Sequence, residues 1–222
     1  MIDPKIQPAI EGALAAFSAY NSFDATQLTE EFFEVFASDE DFLTKVDALD
    51  EVFDNNPAVE VLREVFFDLL LINFFSEDVK KLEDDYLETA EWEDIEEQTL
   101  DRGTELLNLL LYLNECEDEN IEPGLEDYLK EFLLVDEDEF QDEYRIYEPV
   151  IANQILIESP VEEISNVAQT LPEDSEIKEL FYPMMCFFQN PDPSDGEFNS
   201  IAAASINKEF DMAVLEILQE FN

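Results

Sequence analysis

Residues 65–75 read VFFDLLLINFF and residues 106–113 read LLNLLLYL. Nine of eleven positions in the first run and seven of eight in the second are apolar. A helix apolar on nearly every side belongs inside a fold. Between the runs, Glu77 to Asp101 carries twelve carboxylates against Lys80 and Lys81. A segment charged this heavily belongs outside. The stretch from Ala58 to Leu113 therefore reads as two central helices flanking an acidic one, and the rest of the chain is organised around it.

Toward the N-terminus the same grammar recurs. Asp3-Pro4 places a capping residue before a proline at the first helical position. A helix over about Pro4–Tyr20 would turn Ile6, Ile10, Leu14 and Phe17 to one side. Asp24 can cap a second helix with Leu28, Phe32, Val35 and Phe36 inward. Ser38-Asp39-Glu40-Asp41 reads as the start of a third, with its acids in the first turn and Phe42, Val46, Leu49 and Phe53 inward. Asn56-Pro57 opens the central helix, expected to run to Phe75. In the acidic segment Val79, Leu82 and Tyr86 keep helical spacing, and the stripe then shifts to Trp92, Ile95 and Thr99. Either one helix bends near Glu88–Glu91 or two meet there. Arg102-Gly103 closes it, and Thr104 caps the next helix.

Beyond Leu113, a helix follows Glu122-Pro123-Gly124, and residues 136–143, DEDEFQDE, read as a short helix or an acidic loop. Further helices are expected from Glu148 to about Glu158, from Pro160 to Leu171, and from about Glu173 to Phe188 with a kink or break at Pro183. Residues 189–197 form a Pro- and Asp-rich linker. It divides an acidic helical domain, 1–188, from a C-terminal amphipathic helix, 198–222. That helix carries Phe210, Ala213, Val214, Ile217, Leu218 and Phe221 on one stripe. It should dock on the body or on a second copy of the chain. No segment reads as a strand. The expected fold is all-α: about ten to eleven helices in stacked antiparallel pairs, without a substantial sheet. No fixed repeat period supports a solenoid.

Composition restricts function. The 222 residues hold 58 acids and 10 bases, a net charge of −48, yet also 19 Phe. The apolar fraction of 46% supports a core and argues against disorder. A salt-rich cytoplasm would also select acids, but so greasy a core is not its signature. Direct binding of nucleic acid or of anionic membrane is excluded, since both need a basic face. Met1 to Phe17 lacks the basic start of a signal peptide, and the 65–75 run is too short to span a bilayer, so a cytoplasmic protein is expected, cellular or virus-encoded. Two cysteines, Cys116 and Cys186, without a CxxC, read as buried thiols.

Chemistry finds little foothold. The chain has no histidine, which removes the commonest general base and most zinc sites. No phosphate-binding Gly-rich loop is present. DPSDGE resembles a calcium loop, but with Gly196 at loop position 6, Pro191, Pro193 and Ala202 fall on ligand positions. No enzyme activity, metal or cofactor is expected. The remaining signal is the acidic surface: residues 77–148 hold 28 acids against five bases. At about 1.5 Å per residue, twelve acids along one helix over 77–101 would give about one charge per 3 Å. A DNA strand carries about one per 3.4 Å. The expected partner-binding face comprises Glu83, Asp84, Glu88, Glu91, Glu93, Asp94, Glu96 and Glu97, with Asp136, Glu137, Asp138 and Glu139. Its partner would be a basic protein, a nucleic-acid-binding enzyme or regulator. Phage anti-restriction decoys and antidotes to nuclease toxins use the same physics, an analogy of charge alone. The competing expectation is a helical scaffold or chaperone-like adaptor that binds through an apolar groove, with charge for solubility.

Overall fold

Two long helices supply a large share of the buried core. The computed structural model describes residues 2–21, 23–77, 86, 88–131, 134–136, 139–140 and 145–222. The first is α4, Arg63–Glu77, entered through a 3-10 turn at Pro57–Leu62. Every residue from Val65 to Ile72 is buried, including Asp68. The second is the C-terminal helix α12, Lys208–Phe221, with nine of its fourteen residues buried.

Around α4 stand α1 (Ile6–Tyr20), α2 (Ala25–Ala37), α3 (Phe42–Asn55) and α6 (Leu106–Glu119). The inward positions expected on α1, α2 and α3 are all buried. Phe32, Phe53 and Phe66 knit α2, α3 and α4 together, with ring centroids 4.6–5.7 Å apart. Such pairs add about 0.5–1.5 kcal/mol each beyond their area. Helix α1 packs antiparallel on α12, since Lys5 at its start donates to the Phe221 carbonyl at 3.1 Å. The close approach needs small residues: a Cβ on Gly12 would lie 3.3 Å from Glu216 Oε2, and Ala9 and Ala13 are fully buried beside it.

The remaining described helices are α5 (Ala90–Thr99), α7 (Leu125–Glu131), α8 (Glu148–Ala152), α9 (Val161–Ala168), α10 (Lys178–Gln189) and α11 (Asp195–Ala204), with a 3-10 turn at Gln154–Glu158. The architecture is all-α. Neither Cys116 nor Cys186 forms a disulfide, and both are buried. Among the described residues no helix is long and apolar enough to cross a membrane.

Several boundaries differ from the sequence reading. The third helix is capped by Asp41, whose Oδ1 accepts from the Thr44 amide at 2.9 Å. Ser38 instead ends α2, so the acids of 39–41 precede the first turn. A helix does not break at Pro183, because Leu180 to Phe188 are all buried. Burying each large apolar side chain contributes about 1.5–3 kcal/mol, against about 3 kcal/mol for an interior proline. Residues 198–222 form two helices rather than one, interrupted at Ser205-Ile206-Asn207. Residues 136–143 were expected as helix or loop, and 137–138 and 141–143 lie outside the described residues. Instead Leu134–Asp136 (β1) pairs antiparallel with Glu139–Phe140 (β2), Leu134 opposite Phe140 and Asp136 opposite Glu139. Val135 and Phe140 favour extended backbone, but a ladder this short leaves almost no periodic signal.

Candidate acidic interface

The acidic helix α5 starts at Ala90, within the stretch where the shifted stripe left a bend or a junction of two helices as alternatives; 78–85 and 87 lie outside the described residues. Thr89 is the N-cap of α5, its Oγ1 accepting from the Trp92 amide at 3.2 Å. Trp92 lies against Phe75 of α4 at 5.4 Å between centroids, and Ile95 is buried one turn on. Thr99 donates to the Ile95 carbonyl at 2.7 Å, which holds its polar group within the helix. With the 92–95–99 stripe inward, Glu91, Glu93, Asp94, Glu96 and Glu97 are exposed, as is Glu88 just before the cap. Glu91 and Glu93 sit in the first turn, where the helix dipole favours anions. The last turn holds no base. Among the described residues no cation pairs with any of these six carboxylates.

The exit of α5 is clamped to the body. Arg102 makes a bidentate pair with Asp50, both contacts at 3.0 Å, and its Nε donates to Glu64 at 3.1 Å. Its guanidinium lies 4.8 Å from the Phe67 ring centre. The Gly103 amide donates to Glu64 at 2.7 Å, and the Thr104 amide and hydroxyl donate to Asp68 at 3.0 and 2.5 Å. Glu64 and Asp68 are one turn apart on α4, so three successive loop residues are held by one helix face. Gly103 has φ +85, and a Cβ there would sit 2.6 Å from Asp68 Oδ1, so a side chain is excluded by both conformation and space. Burial pushes the Asp68 carboxyl well above the usual carboxylate range. The Thr104 bonds oppose that shift, and Glu64 and Glu105 reinforce it.

Of the expected face, six residues, Glu88, Glu91, Glu93, Asp94, Glu96 and Glu97, are brought together on or beside α5. Asp136 and Glu139 face each other across the β1–β2 ladder, a separate element. Glu83, Asp84, Glu137 and Asp138 lie outside the described residues. Asp50, Glu64, Asp68 and Arg102, which hold the helix in place, were not singled out as site residues. Asp68 is the one acid in the 65–75 run, but its partner is 36 residues away. Among the described residues no group of three or more Cys, Asp or Glu side chains is arranged to hold a metal ion. No family model matches the chain, and no curated protein or solved structure is significantly similar to it.

Proposed function

We propose that this is a non-enzymatic interaction protein that presents a nucleic-acid-like acidic surface to a basic nucleic-acid-binding enzyme or regulator, and inhibits it by occlusion. The proposed setting is the cytoplasm of a cell or of a virus-infected host. The observation that supports the reading is the outward face of α5. Five carboxylates occupy a ten-residue helix. That length is about 15 Å, hence about one charge per 3 Å, close to the 3.4 Å charge spacing of a DNA strand. The clamp at Arg102–Thr104 and the Trp92–Phe75 contact hold that row at a constant orientation. Opposite potentials would speed encounter with the partner and make affinity fall with salt.

The test is a competition. The protein, immobilised at low salt, captures basic proteins from lysate, and a salt step releases them. Each is then titrated with the protein in the presence of duplex DNA or RNA. Expected is mutual exclusion. Glu→Lys or Asp→Lys reversals at Glu83, Asp84, Glu88, Glu91, Glu93 and Asp94 should weaken binding progressively while the helical CD signal persists. A partner that binds nucleic acid and this protein simultaneously, with unchanged affinity for each, rules the mimicry out.

A further inference from the structure

Three helices run out around one groove. Helix α4 ends at Glu77, α12 ends at Phe221, and the last turns of α6 carry Glu115, Glu117 and Asp118. The groove between them has a volume of about 730 Å³, within the range of about 300–1,000 Å³ usual for binding sites. Leu111 lines it together with Pro4 and Pro8, ahead of and within α1, over the buried side chains of Ile72 and Phe75. Leu111 is half-buried and both prolines are exposed, so apolar surface stays open to solvent. Phe75 also carries Trp92 on its ring, which places the groove beside α5.

Among the described residues, the exposed charges on the rim are acidic. Glu115, Glu117, Asp118 and Glu220 surround the floor and are all exposed. Each helix C-terminus adds about half a negative charge. Proteins commonly offset that with a base in the last turn, and neither α4 nor α6 has one. The lysine that lines the groove, Lys5, is already engaged. Its Nζ pairs with Glu117 at 2.5 Å and donates to Asn114 Oδ1 and the Phe221 carbonyl, each at 3.1 Å. What is left over is negative potential around an apolar strip.

We infer that this groove docks an amphipathic cationic helix of a protein partner, with apolar residues along Leu111, Pro4 and Pro8 and Lys or Arg against Glu115, Asp118 and Glu220. A small polyamine would satisfy the rim and leave the floor wet. An acidic or neutral helix would leave the rim carboxylates uncompensated. Helix-in-groove docking needs both features together. The site is distinct from the outward face of α5 and does not rest on the mimicry reading.

The experiment uses the full chain and a fluorescein-labelled amphipathic Leu/Lys helical peptide, followed by anisotropy at about 0.15 M salt. The control is a Ser/Lys peptide of equal length and charge. The Leu/Lys peptide should bind at least about tenfold more tightly than the control. Leu111→Arg, and separately the triple variant Glu115→Gln, Asp118→Asn, Glu220→Gln, should each weaken it by about tenfold. The triple variant alters only exposed residues, so it serves if Leu111→Arg unfolds the chain. Bound peptide should raise hydrogen-exchange protection over residues 72–76 and 111–118. Glu93→Gln with Asp94→Asn and Glu97→Gln, on α5, should change the affinity less than about threefold, so failure of the mimicry leaves this result standing. Equal binding of the Ser/Lys peptide, a footprint elsewhere, or full displacement by spermine at matched charge overturns the inference.

Discussion

Asp211→Asn should stabilise the protein at neutral and alkaline pH. Asp211 lies in the first turns of α12, just past the Ser205–Asn207 interruption, and is 6% exposed. Its Oδ2 accepts from the Ser205 hydroxyl at 2.6 Å. Burial raises its carboxyl from 3.8 to about 7, opposed by the Ser205 and Asn207 hydrogen bonds and reinforced by Glu209 and Glu179. The sign follows from proton binding. Between pH 4 and 7 the folded chain keeps a proton that the unfolded chain releases, so stability falls as pH rises and levels off above about 7. At about 1.4 kcal/mol for each tenfold in proton affinity, the full penalty is about 4 kcal/mol, of which about 2–3 kcal/mol develops between pH 5 and 8. An asparagine keeps an acceptor for Ser205 and carries no charge. For a chain of this size about 1 kcal/mol corresponds to about 2–4 °C. The advantage of the variant in thermal melts should therefore grow by about 5–10 °C from pH 5 to pH 8. Melts of the two proteins that stay parallel across that range would show that Asp211 is not a buried charge, and the assignment of its surroundings would fail.

Arg102→Ala should cost about 2–3 kcal/mol in urea denaturation, since it strips charge-assisted bonds from Asp50 and Glu64 and uncovers Phe67. Lys130→Ala, which removes a surface pair with Glu126, should leave the urea midpoint essentially unchanged; equal effects would deny the clamp. Unpaired acids repel, so the melting temperature should rise from about 0.05 to about 0.5 M NaCl as the Debye length shrinks, and a flat profile would mean that the acids are locally compensated.

The helical stripes were legible residue by residue, because a 3.6-residue period records one buried face and every stripe residue reports on it. Leu28, Phe32, Val35 and Phe36 are an example: read as inward and buried in the fold. The phase shift between Tyr86 and Trp92 marked a bend or a junction without choosing between them; the Thr89 cap sets the start of α5. Boundaries at Asp41, Lys178 and Ser205 were not legible, because several residues near each can cap, and packing against other helices chooses among them. Glu93, Asp94 and Glu97 lie away from the Trp92–Ile95 stripe, whereas Glu91 and Glu96 flank it and Glu88 precedes the helix; all six are exposed in the fold.

What holds that face did not follow from the sequence. Asp50, Glu64 and Arg102 are common surface residues, and only the approach of α3, α4 and the loop before α6 joins them across as many as 52 positions. The groove beside Leu111 depends likewise on where the ends of α4, α6 and α12 arrive, a matter of helix length and crossing rather than composition. Local pattern determined which residues are helical and which side of each helix is buried, because both are set by neighbours a few positions apart. Tertiary structure decided which charges meet, which helix ends share a groove, and that the C-terminal helix is largely buried, because those depend on contacts whose partners no local period encodes.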